Sequence, residues 1–235
     1  MDLTLLIPMH DEEEALEDLL PALATFHAEH AVDIAMEAVL VDDGSKDHTF
    51  ERAWTWAEGQ HFPVKVIRLN PREGLGGAIS QGVSFCTGRW IVTYDADMSY
   101  PLGDVPRLLE RGESAGAQVV TASPWSDEGR AIDLDRRREG ISRWASRLYR
   151  WRLGRRGRHL TCFTCGFRAY TKDAMPRLLP KNKGFLATAE MLVRALKADM
   201  TVAEVASTLR PRVRGRSKMR VVRTAISHVL FLIRL

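Results

Sequence analysis

Short apolar runs alternate with amphipathic stretches over the first 122 residues. The runs are rich in Val, Ile and Leu and lack a regular polar alternation, which is typical of strands buried on both faces. This pattern predicts strands at residues 3–8, 38–41, 64–69, 90–94 and 118–122. Helical spacing between them predicts helices at residues 13–27, 47–58, 76–86 and 102–113. Repeated strand–helix–strand units predict an α/β fold with a mostly parallel, doubly wound sheet flanked by helices.

Residues 123–138 form a long segment without periodicity, which contains Pro124 and Gly129. Loops of this length inside a domain are usually functional or mobile. After it, the pattern predicts a helix at 139–153, a strand at 165–170, a helix at 187–196 and a strand at 201–208. No internal repeat or low-complexity linker interrupts the sequence, so a single domain over residues 1–235 is expected.

A basic amphipathic helix is predicted at residues 218–235, where apolar positions recur at helical spacing and arginines lie mostly on other faces. Such a helix either lies in a membrane interface or closes over the core, and amphipathicity alone is commoner for core packing. No apolar run approaches the roughly 18 residues needed to span a bilayer. A membrane-spanning helix is therefore not predicted.

The net charge of +4 is the difference between two strongly charged parts of the chain. Up to Asp135 there are 9 Lys and Arg against 25 Asp and Glu, and after it there are 25 against 5. This division excludes a uniformly basic nucleic-acid-binding surface. It indicates a site whose two walls handle opposite charges.

Cysteine usage gives two further expectations. The three cysteines are an odd number, which favours a reducing compartment, so a cytoplasmic location is expected. Cys162-x-x-Cys165 has no second cysteine pair and does not supply the four ligands of a structural zinc ion. We therefore do not expect a metal at these cysteines.

Acidic residues follow three of the predicted strands, where ligands gather in an open α/β sheet. Glu12 follows the first strand, Asp42 and Asp43 follow the second, and Asp95 and Asp97 follow the fourth. Alternate strand positions share a face, so the last pair can point into one crevice, where carboxylate oxygens suit Mg²⁺ or Mn²⁺ bound to phosphates. The alternative for the second pair is turn formation and capping of the next helix, without a ligand.

Four motifs in order carry a family resemblance. They are Leu-Thr-Leu-Leu-Ile-Pro at 3–8 with Glu12, Val-Leu-Val-Asp-Asp-Gly-Ser at 39–45, Gly-Leu-Gly-Gly-Ala at 74–78 and Tyr-Asp-Ala-Asp at 94–97. Together they resemble the GT-A nucleotide-sugar glycosyltransferases of family 2, and more narrowly the polyprenyl (dolichyl) phosphate mannose and glucose synthase group. The resemblance covers nearly the whole chain. It implies a Rossmann-like GT-A fold and an inverting, metal-dependent transfer of a sugar from a nucleotide diphosphate to a polyprenyl phosphate. Within the single domain, residues 1–122 are expected to form the nucleotide-sugar-binding half, residues 123–217 the acceptor half and residues 218–235 the basic amphipathic helix.

The resemblance also implies the residues of the donor site. It places at the nucleotide sugar Pro8, Glu12, Val41, Asp43, Asp95, Ala96, Asp97, Arg212 and Lys218. Within that set Asp95 and Asp97 hold the Mg²⁺ or Mn²⁺ cofactor, and Asp97 and Arg212 are among the catalytic residues. Ser99 takes the position at which dolichyl-phosphate mannose synthases often have a metal-holding Gln, and it is included in the expected metal site. His-Asp at 10–11 replaces the group's Tyr-Asn pair, so the base or sugar preference is expected to differ from that for GDP-mannose.

Arginines dominate the second part of the chain, with ten between Arg136 and Arg158 and a second basic cluster at 210–220. Nucleic acid is the less suitable partner, because the acidic part would repel its backbone and the stretch lacks the pattern of an aromatic stacking platform. A membrane surface or a phosphorylated lipid suits these clusters better, because the guanidinium fork binds phosphate oxygens in pairs.

The basic clusters extend the resemblance. Arg138 with Ser142 four residues later resembles the acceptor-phosphate segment of the group, and Arg-x-x-Gly-x-Ser-Lys at 212–218 resembles its late basic element. The resemblance therefore implies phosphate contacts for Arg138, Ser142, Arg212 and Lys218, with Arg138 also catalytic. We expect the other arginines to face a membrane, with the protein peripheral on its cytoplasmic face or held by a separate membrane-anchoring protein.

Two alternative functions stay open on sequence alone. A family 2 enzyme that acts on a sugar or polysaccharide hydroxyl needs a carboxylate base, for which Glu190 is the candidate. A polyprenyl phosphate is already anionic and needs no base, so Glu190 would then be structural or positioning, which is the interpretation favoured here. The other alternative is a catalytically silent basic adaptor at the membrane surface.

Overall fold

A mostly parallel β-sheet forms the centre of the protein. The computed structural model describes residues 1–215 and 221–235, apart from the side chains of residues 136–138 and 221. The strands are β1 (Leu3–Met9), β2 (Met36–Asp42), β3 (Val64–Arg68), β4 (Trp90–Thr93), β5 (Val119–Ser123), β6 (Arg130–Ala131), β7 (Arg168–Thr171), β8 (Val202–Ala206) and β9 (Thr208–Leu209). Seven of them form one sheet in the order β3-β2-β1-β4-β7-β5-β8, while β6 and β9 form a separate parallel pair. In the large sheet β7 is antiparallel to both neighbours, and the other pairs are parallel.

Helices cover both faces of the sheet. They are α1 (Leu16–His30), α2 (Thr49–Glu58), α3 (Gly74–Val83), α4 (Val105–Ala115), α5 (Arg136–Leu153), α6 (Leu186–Lys197) and α7 (Val221–Ile233). On one face, Leu5 and Ile7 of β1 belong to the same buried cluster as Leu19 of α1. On the other face, Leu6 of β1 is buried with Ile79 of α3. Successive residues of β1 therefore enter opposite cores, which explains its uninterrupted apolar sequence.

The predicted α/β fold class is confirmed, and the five strands expected over residues 1–122 form within two residues of their predicted bounds. Helix α1 begins at Leu16, three residues later than predicted. The reason is that the backbone amides of Asp11, Glu12 and Glu13 donate hydrogen bonds to side chains of residues 45–49. These bonds hold residues 11–13 in a turn at the carboxyl end of β1.

The second part of the chain departs more from the sequence prediction. The strand expected at 165–170 is β7, which is shorter and lies antiparallel between β4 and β5. Residues 123–138 are not wholly irregular, because β6 pairs with β9 and α5 begins at Arg136. The strand expected at 201–208 is divided at Ser207 into β8 and β9. The proposed division into parts 1–122, 123–217 and 218–235 stays a prediction, and the large sheet draws strands from the first two.

The predicted C-terminal helix is present as α7, with residues 218–220 outside the described part of the chain. His228 and Leu232 on its inner side are buried, and His228 Nδ1 shares a 2.8 Å hydrogen bond with the Tyr149 hydroxyl of α5. The opposite side carries an exposed apolar row, here called the outer stripe: Val222, Ile226, Val229, Leu230 and Ile233. Within the described residues, no helix has the length and apolar character needed to cross a bilayer.

Candidate functional site

A cavity of about 450 Å³ lies where β1, β2 and β4 end. Several residues predicted from sequence line it together: Pro8, Glu12, Asp43, Asp95, Ala96, Asp97, Ser99, Ser142 and Arg212. Val41 is fully buried in β2 with core residues and is not among the lining residues. Arg138 lies in α5 but its side chain is outside the description, and Lys218 lies outside the described residues. The structure thus brings most of the predicted donor and acceptor residues into one space.

Asp95 and Asp97 follow β4 on a turn in which Met98 has a φ of 54°. The Ser99 hydroxyl donates to Asp97 Oδ1 at 2.6 Å, and the Ser99 amide donates to the same oxygen at 3.1 Å. Burial, together with the nearby Asp97 and Glu12 carboxylates, raises the pKa of Asp95. A Cβ at Gly166 would lie 3.0 Å from the Asp95 carboxylate, so the glycine leaves this group room. Like charges crowded in this way favour a bound cation.

The chemistry of this carboxylate pair fits a hard divalent metal. Mg²⁺ and Mn²⁺ prefer oxygen ligands, and Mg²⁺ is usually held by one or two carboxylates with phosphate oxygens and water in its other positions. Over residues 1–215 and 221–235, no group of three or more His, Cys, Asp or Glu side chains is arranged to hold a metal ion. The residues whose chemistry suits such an ion are Asp95 and Asp97, with Ser99 orienting Asp97.

Arg212 brings positive charge to the same strand ends. Its Nη2 atom donates to both carboxylate oxygens of Glu12 at 2.8 Å and lies 3.7 Å from Asp97 Oδ2. The Arg210 and Val213 amides donate to the backbone oxygens of Ser99 and Asp97, which fixes this basic segment over the acidic turn. The Nε and Nη1 atoms of Arg212 are buried and have no hydrogen-bond partner in the described structure. Buried donors without partners are rare, and an anion would satisfy them.

The two acids after β2 have separate roles. Asp42 accepts a hydrogen bond from the Ser45 amide, so it forms the turn expected of this sequence. Asp43 instead reaches the start of α3, where it accepts from the amides of Glu73 and Gly74 at 2.7 and 2.8 Å. Gly74 has a φ of 77°, and a Cβ there would overlap the backbone oxygen of Lys183. The glycine-rich motif therefore lets α3 begin against both Asp43 and the 181–184 loop.

The wall of the cavity predicted to bind the acceptor is formed by α5 together with residues before and after it. Ser142 Oγ accepts a hydrogen bond from Trp125 Nε1 at 3.2 Å and shares another with Thr164 Oγ1 at 2.8 Å. The guanidinium of Arg143 lies over the Trp125 ring, 4.2 Å from its centroid. Trp125 was not expected from sequence, and its position in an aperiodic segment gave no signal. It holds Ser142 at the cavity wall.

Glu190 is buried in α6 and already has partners. Its two carboxylate oxygens accept from the amides of Lys181 and Asn182 at 3.0 and 2.8 Å, and Arg194 pairs with it at 3.0 Å. It is not among the residues that line the cavity. These contacts hold the 181–184 loop, whose Lys183 does reach the cavity, and they support a structural role.

Arg168 is a buried positive charge that influences Asp95 and that the sequence analysis did not single out. Its side chain on β7 is fully buried, and it donates to Thr121 Oγ1, to the Phe163 oxygen and to the Thr188 oxygen. No carboxylate of the described residues lies within ion-pair distance of it. Its charge lowers the pKa of Asp95, against the larger effect of burial. A charged residue within an otherwise apolar predicted strand was the available signal.

Comparisons with known proteins identify the family. The sequence pattern of glycosyl transferase family 2 matches residues 4–179. A dolichol-phosphate mannosyltransferase of Pyrococcus furiosus is 29% identical over 221 residues, which cover 94% of this chain and 60% of that protein. An undecaprenyl-phosphate 4-deoxy-4-formamido-L-arabinose transferase of Pseudomonas paraeruginosa is 33% identical over 177 residues, which cover 75% of this chain and 49% of that protein. The chain thus spans about half to three fifths of the length of these curated relatives.

A solved structure shows the same fold. Glucosyl-3-phosphoglycerate synthase of Mycobacterium tuberculosis, in complex with Mn²⁺, uridine diphosphate and glucosyl-3-phosphoglycerate, superposes with a TM-score of 0.72 at 19% identity. The match covers 98% of this chain and 79% of that one. A second complex of the same enzyme contains Mn²⁺, uridine diphosphate and phosphoglyceric acid, with a TM-score of 0.72. At this identity the likeness establishes the fold.

Proposed function

Because this chain belongs to glycosyl transferase family 2 and has the expected GT-A fold, we propose that it transfers a sugar from a nucleotide diphosphate to a polyprenyl phosphate. One observation carries the proposal. The Asp95 and Asp97 carboxylates and the unpaired donors of Arg212 meet in a single cavity, so a cation and an anion can be bound together. The similarity to transferases named for dolichol phosphate and undecaprenyl phosphate supports a lipid acceptor.

The donor diphosphate is proposed to lie beside the acidic turn, with the nucleoside between Pro8, Glu12 and Asp43. Asp95 and Asp97 would hold Mg²⁺ or Mn²⁺ there, and complexes of the structural neighbour with Mn²⁺ and uridine diphosphate support this. When bound, the ion supplies positive charge that stabilises the negative charge of the leaving nucleotide. The wall of the cavity that faces the diphosphate also carries Ala96, whose small side chain leaves space at the turn.

Arg212 is proposed to bind the diphosphate through its two unpaired nitrogens. Glu12 occupies Nη2, so Nε and Nη1 are left to donate to phosphate oxygens. These two donors point to different sides of the guanidinium, and each donates from a charged group, which binds a phosphate oxygen more strongly than a neutral donor does. Lys218, which the resemblance also assigns to the phosphates, is proposed to act beside it.

The acceptor phosphate is proposed to bind at Arg138 and Ser142, on the opposite wall. One of its oxygens attacks the anomeric carbon as the bond from that carbon to the diphosphate oxygen breaks, so the configuration inverts and the nucleoside diphosphate leaves. The attacking oxygen is already anionic near neutral pH and needs no base. The full set of partners on Glu190 supports this scheme over a hydroxyl acceptor.

The transfer takes place, on this proposal, at the cytoplasmic face of a membrane, where the protein is peripheral. The excess of arginine after Asp135 supports this location, because anionic lipid surfaces attract clustered basic residues. A separate membrane-anchoring protein is a compatible partner.

The proposed function is tested by incubating the purified protein with a panel of nucleotide sugars, Mg²⁺ or Mn²⁺, and polyprenyl phosphate in detergent. Mass spectrometry of the lipid is expected to show one added sugar with at least one donor, and Asp97→Asn is expected to abolish it. Transfer to a sugar hydroxyl and to no lipid would favour the polysaccharide alternative. If the protein shows no transfer and does not bind a nucleotide sugar, the alternative of a catalytically silent adaptor at the membrane surface is favoured.

A further inference from the structure

The outer stripe of α7 is apolar on a helix that already has a packed inner side. Val222 is 74% exposed, Ile226 55% and Ile233 72%, whereas His228 and Leu232 on the inner side are buried against the protein. These exposed positions recur at helical spacing along one side. Exposed apolar side chains in isolation need no explanation, but a continuous row of them marks an interaction surface.

Helix α5, which packs beside α7, adds two exposed tryptophans and a dense positive charge. Trp144 is 51% exposed and Trp151 is 80% exposed. Several exposed arginines of this region have no carboxylate of the described residues within 4 Å: Arg147, Arg150, Arg152, Arg155 and Arg158. Glu139 is the only acidic residue in the α5 sequence, and the α7 sequence has none. Tryptophan beside arginine is the composition that favours a bilayer interface.

The same surface is continuous with the mouth of the proposed active site. The cavity that contains Asp97 extends to Trp144 of α5, to Phe185, and to Ala225 of α7. Trp144 and Phe185 are partly exposed, so they form an apolar rim between the cavity and the solvent. A lipid phosphate entering at this rim would keep its hydrocarbon chain on the side of the outer stripe.

We propose that the outer stripe, Trp144, Trp151 and the unpaired arginines of α5 form one face that docks on an anionic lipid bilayer, with the cavity mouth turned toward the lipid. This inference deepens the proposed function and rests on it for the orientation of the acceptor. The positive charge argues for a bilayer with anionic headgroups rather than for a second copy of this face, since two such faces would repel each other.

The docking is tested by flotation of the full chain with vesicles of phosphatidylcholine, with and without phosphatidylglycerol, at low and high salt. We expect binding that requires the anionic lipid and weakens with salt. Ile226→Ser combined with Leu230→Ser should lower the partition coefficient at least about tenfold. Arg147→Gln and Arg150→Gln should each lower it about fivefold at low salt and less at high salt.

Matched controls come from exposed residues elsewhere in the chain. Val32, in the turn after α1 and 96% exposed, is changed to Ser, Trp54 of α2 to Ala, and Arg111 of α4 to Gln. None of these should alter vesicle binding. Because all the substituted side chains are exposed, circular dichroism and the thermal midpoint should match those of the unchanged protein.

A water-soluble, short-chain polyprenyl phosphate separates this inference from the proposed function. The stripe variant should transfer sugar to it normally and lose transfer to an acceptor embedded in vesicles. Vesicle binding without transfer to any polyprenyl phosphate would reject the proposed function and leave the docking face standing. Three results would each overturn the docking face. They are undiminished vesicle binding by the stripe variant, vesicle binding that does not depend on salt, and a stripe variant that differs from the unchanged protein only in its oligomeric state by light scattering.

Discussion

Arg212 is bonded at one nitrogen of its guanidinium and left unsatisfied at the other two. Nη2 bonds both oxygens of Glu12, while Nε and Nη1 are buried without partners in the described structure. An unsatisfied buried donor costs about 1–3 kcal/mol, so two of them are a considerable cost. A ligand with phosphate oxygens at these two nitrogens would remove that cost. On the proposed function, Arg212 would therefore gain more from binding the diphosphate than an exposed arginine would.

Replacing Arg212 with Lys should weaken nucleotide-sugar binding about 10- to 100-fold, because a single ammonium nitrogen paired with Glu12 cannot take the places of both Nε and Nη1. Calorimetric titration of the nucleotide sugar in the presence of Mn²⁺ measures this loss. The matched control is Arg214→Lys, since Arg214 is exposed and pairs with Asp18 and Glu17 on the protein surface. Equal affinities for the Arg212→Lys variant and the unchanged protein would contradict the role assigned to Arg212.

Glu190→Gln tests the structural role of that carboxylate. An amide accepts hydrogen bonds at only one of its two ends, so the bonds from the amides of Lys181 and Asn182 cannot both be kept. We expect the free energy of unfolding to fall by about 1–3 kcal/mol. The initial rate of transfer to polyprenyl phosphate should stay within about tenfold of that of the unchanged protein. Thermal denaturation and rate measurements check the two parts. A loss of several orders of magnitude in rate with an intact fold would indicate a catalytic base.

At the level of elements, the sequence predicts what local burial determines. Strands β1, β2 and β4 are apolar at nearly every position because both faces are covered, so their existence and the acids at their ends were predictable. The antiparallel direction of β7 was not, because it depends on pairing with β4 and β5, for which the local sequence has no signal. The same limit applies to Arg212 and Glu12, which meet across 200 positions of the chain.

The attachment of α7 should depend on pH through His228. Burial lowers the pKa of His228 to about 4, from an ordinary value near 6.5. Between these values the unfolded chain binds a proton that the folded chain does not, so stability falls as the pH falls, by up to about 3 kcal/mol in total. Urea unfolding and hydrogen exchange of α7 at pH 7 and at about pH 4.5 should show the loss.

His228→Gln should reduce this pH dependence, while His61→Gln, at an exposed position before β3, should leave it unchanged. If the Gln variant at position 228 kept the full pH dependence, other groups would be responsible for it. The inner contact of α7 with Tyr149 would then be independent of histidine ionisation.

At the scale of the whole molecule, the acidic part of the chain before residue 136 and the basic part after it are in contact. The basic segment after β9 lies on acids that follow β1, through Arg212 with Glu12 and Arg214 with Asp18. The net charge of +4 therefore describes neither wall of the cavity. A donor diphosphate with its cation would bind both walls at once, and so would hold the two parts of the chain together.

A nucleoside diphosphate with Mn²⁺ should accordingly raise the unfolding free energy by about 2.7 kcal/mol at 100 times its dissociation constant. Differential scanning fluorimetry is the measurement, and chelation of the metal should remove most of the shift. Asp97→Asn should do the same. Asp133→Asn, in the Asp-Leu-Asp sequence at residues 133–135, should not, because Asp133 is not among the residues that line the cavity. A full shift in the Asp97 variant would argue against the metal assignment.

Because β7 is inserted between β4 and β5, residues 1–122, the predicted nucleotide-sugar-binding half, do not contain a complete sheet. A fragment ending at residue 122 would keep the strands β3-β2-β1-β4, with β4 as an unpaired edge strand. Strand β5 would lack both of its neighbours, β7 and β8. Open apolar edges are templates for association with other chains. During synthesis, β4 therefore gains its second neighbouring strand only when β7, about 75 residues further along the chain, has been made. Chimeras between relatives that exchange the predicted acceptor half should therefore keep β7 from the same protein as residues 1–122. This holds although β7, at residues 168–171, lies outside residues 1–122 in the sequence.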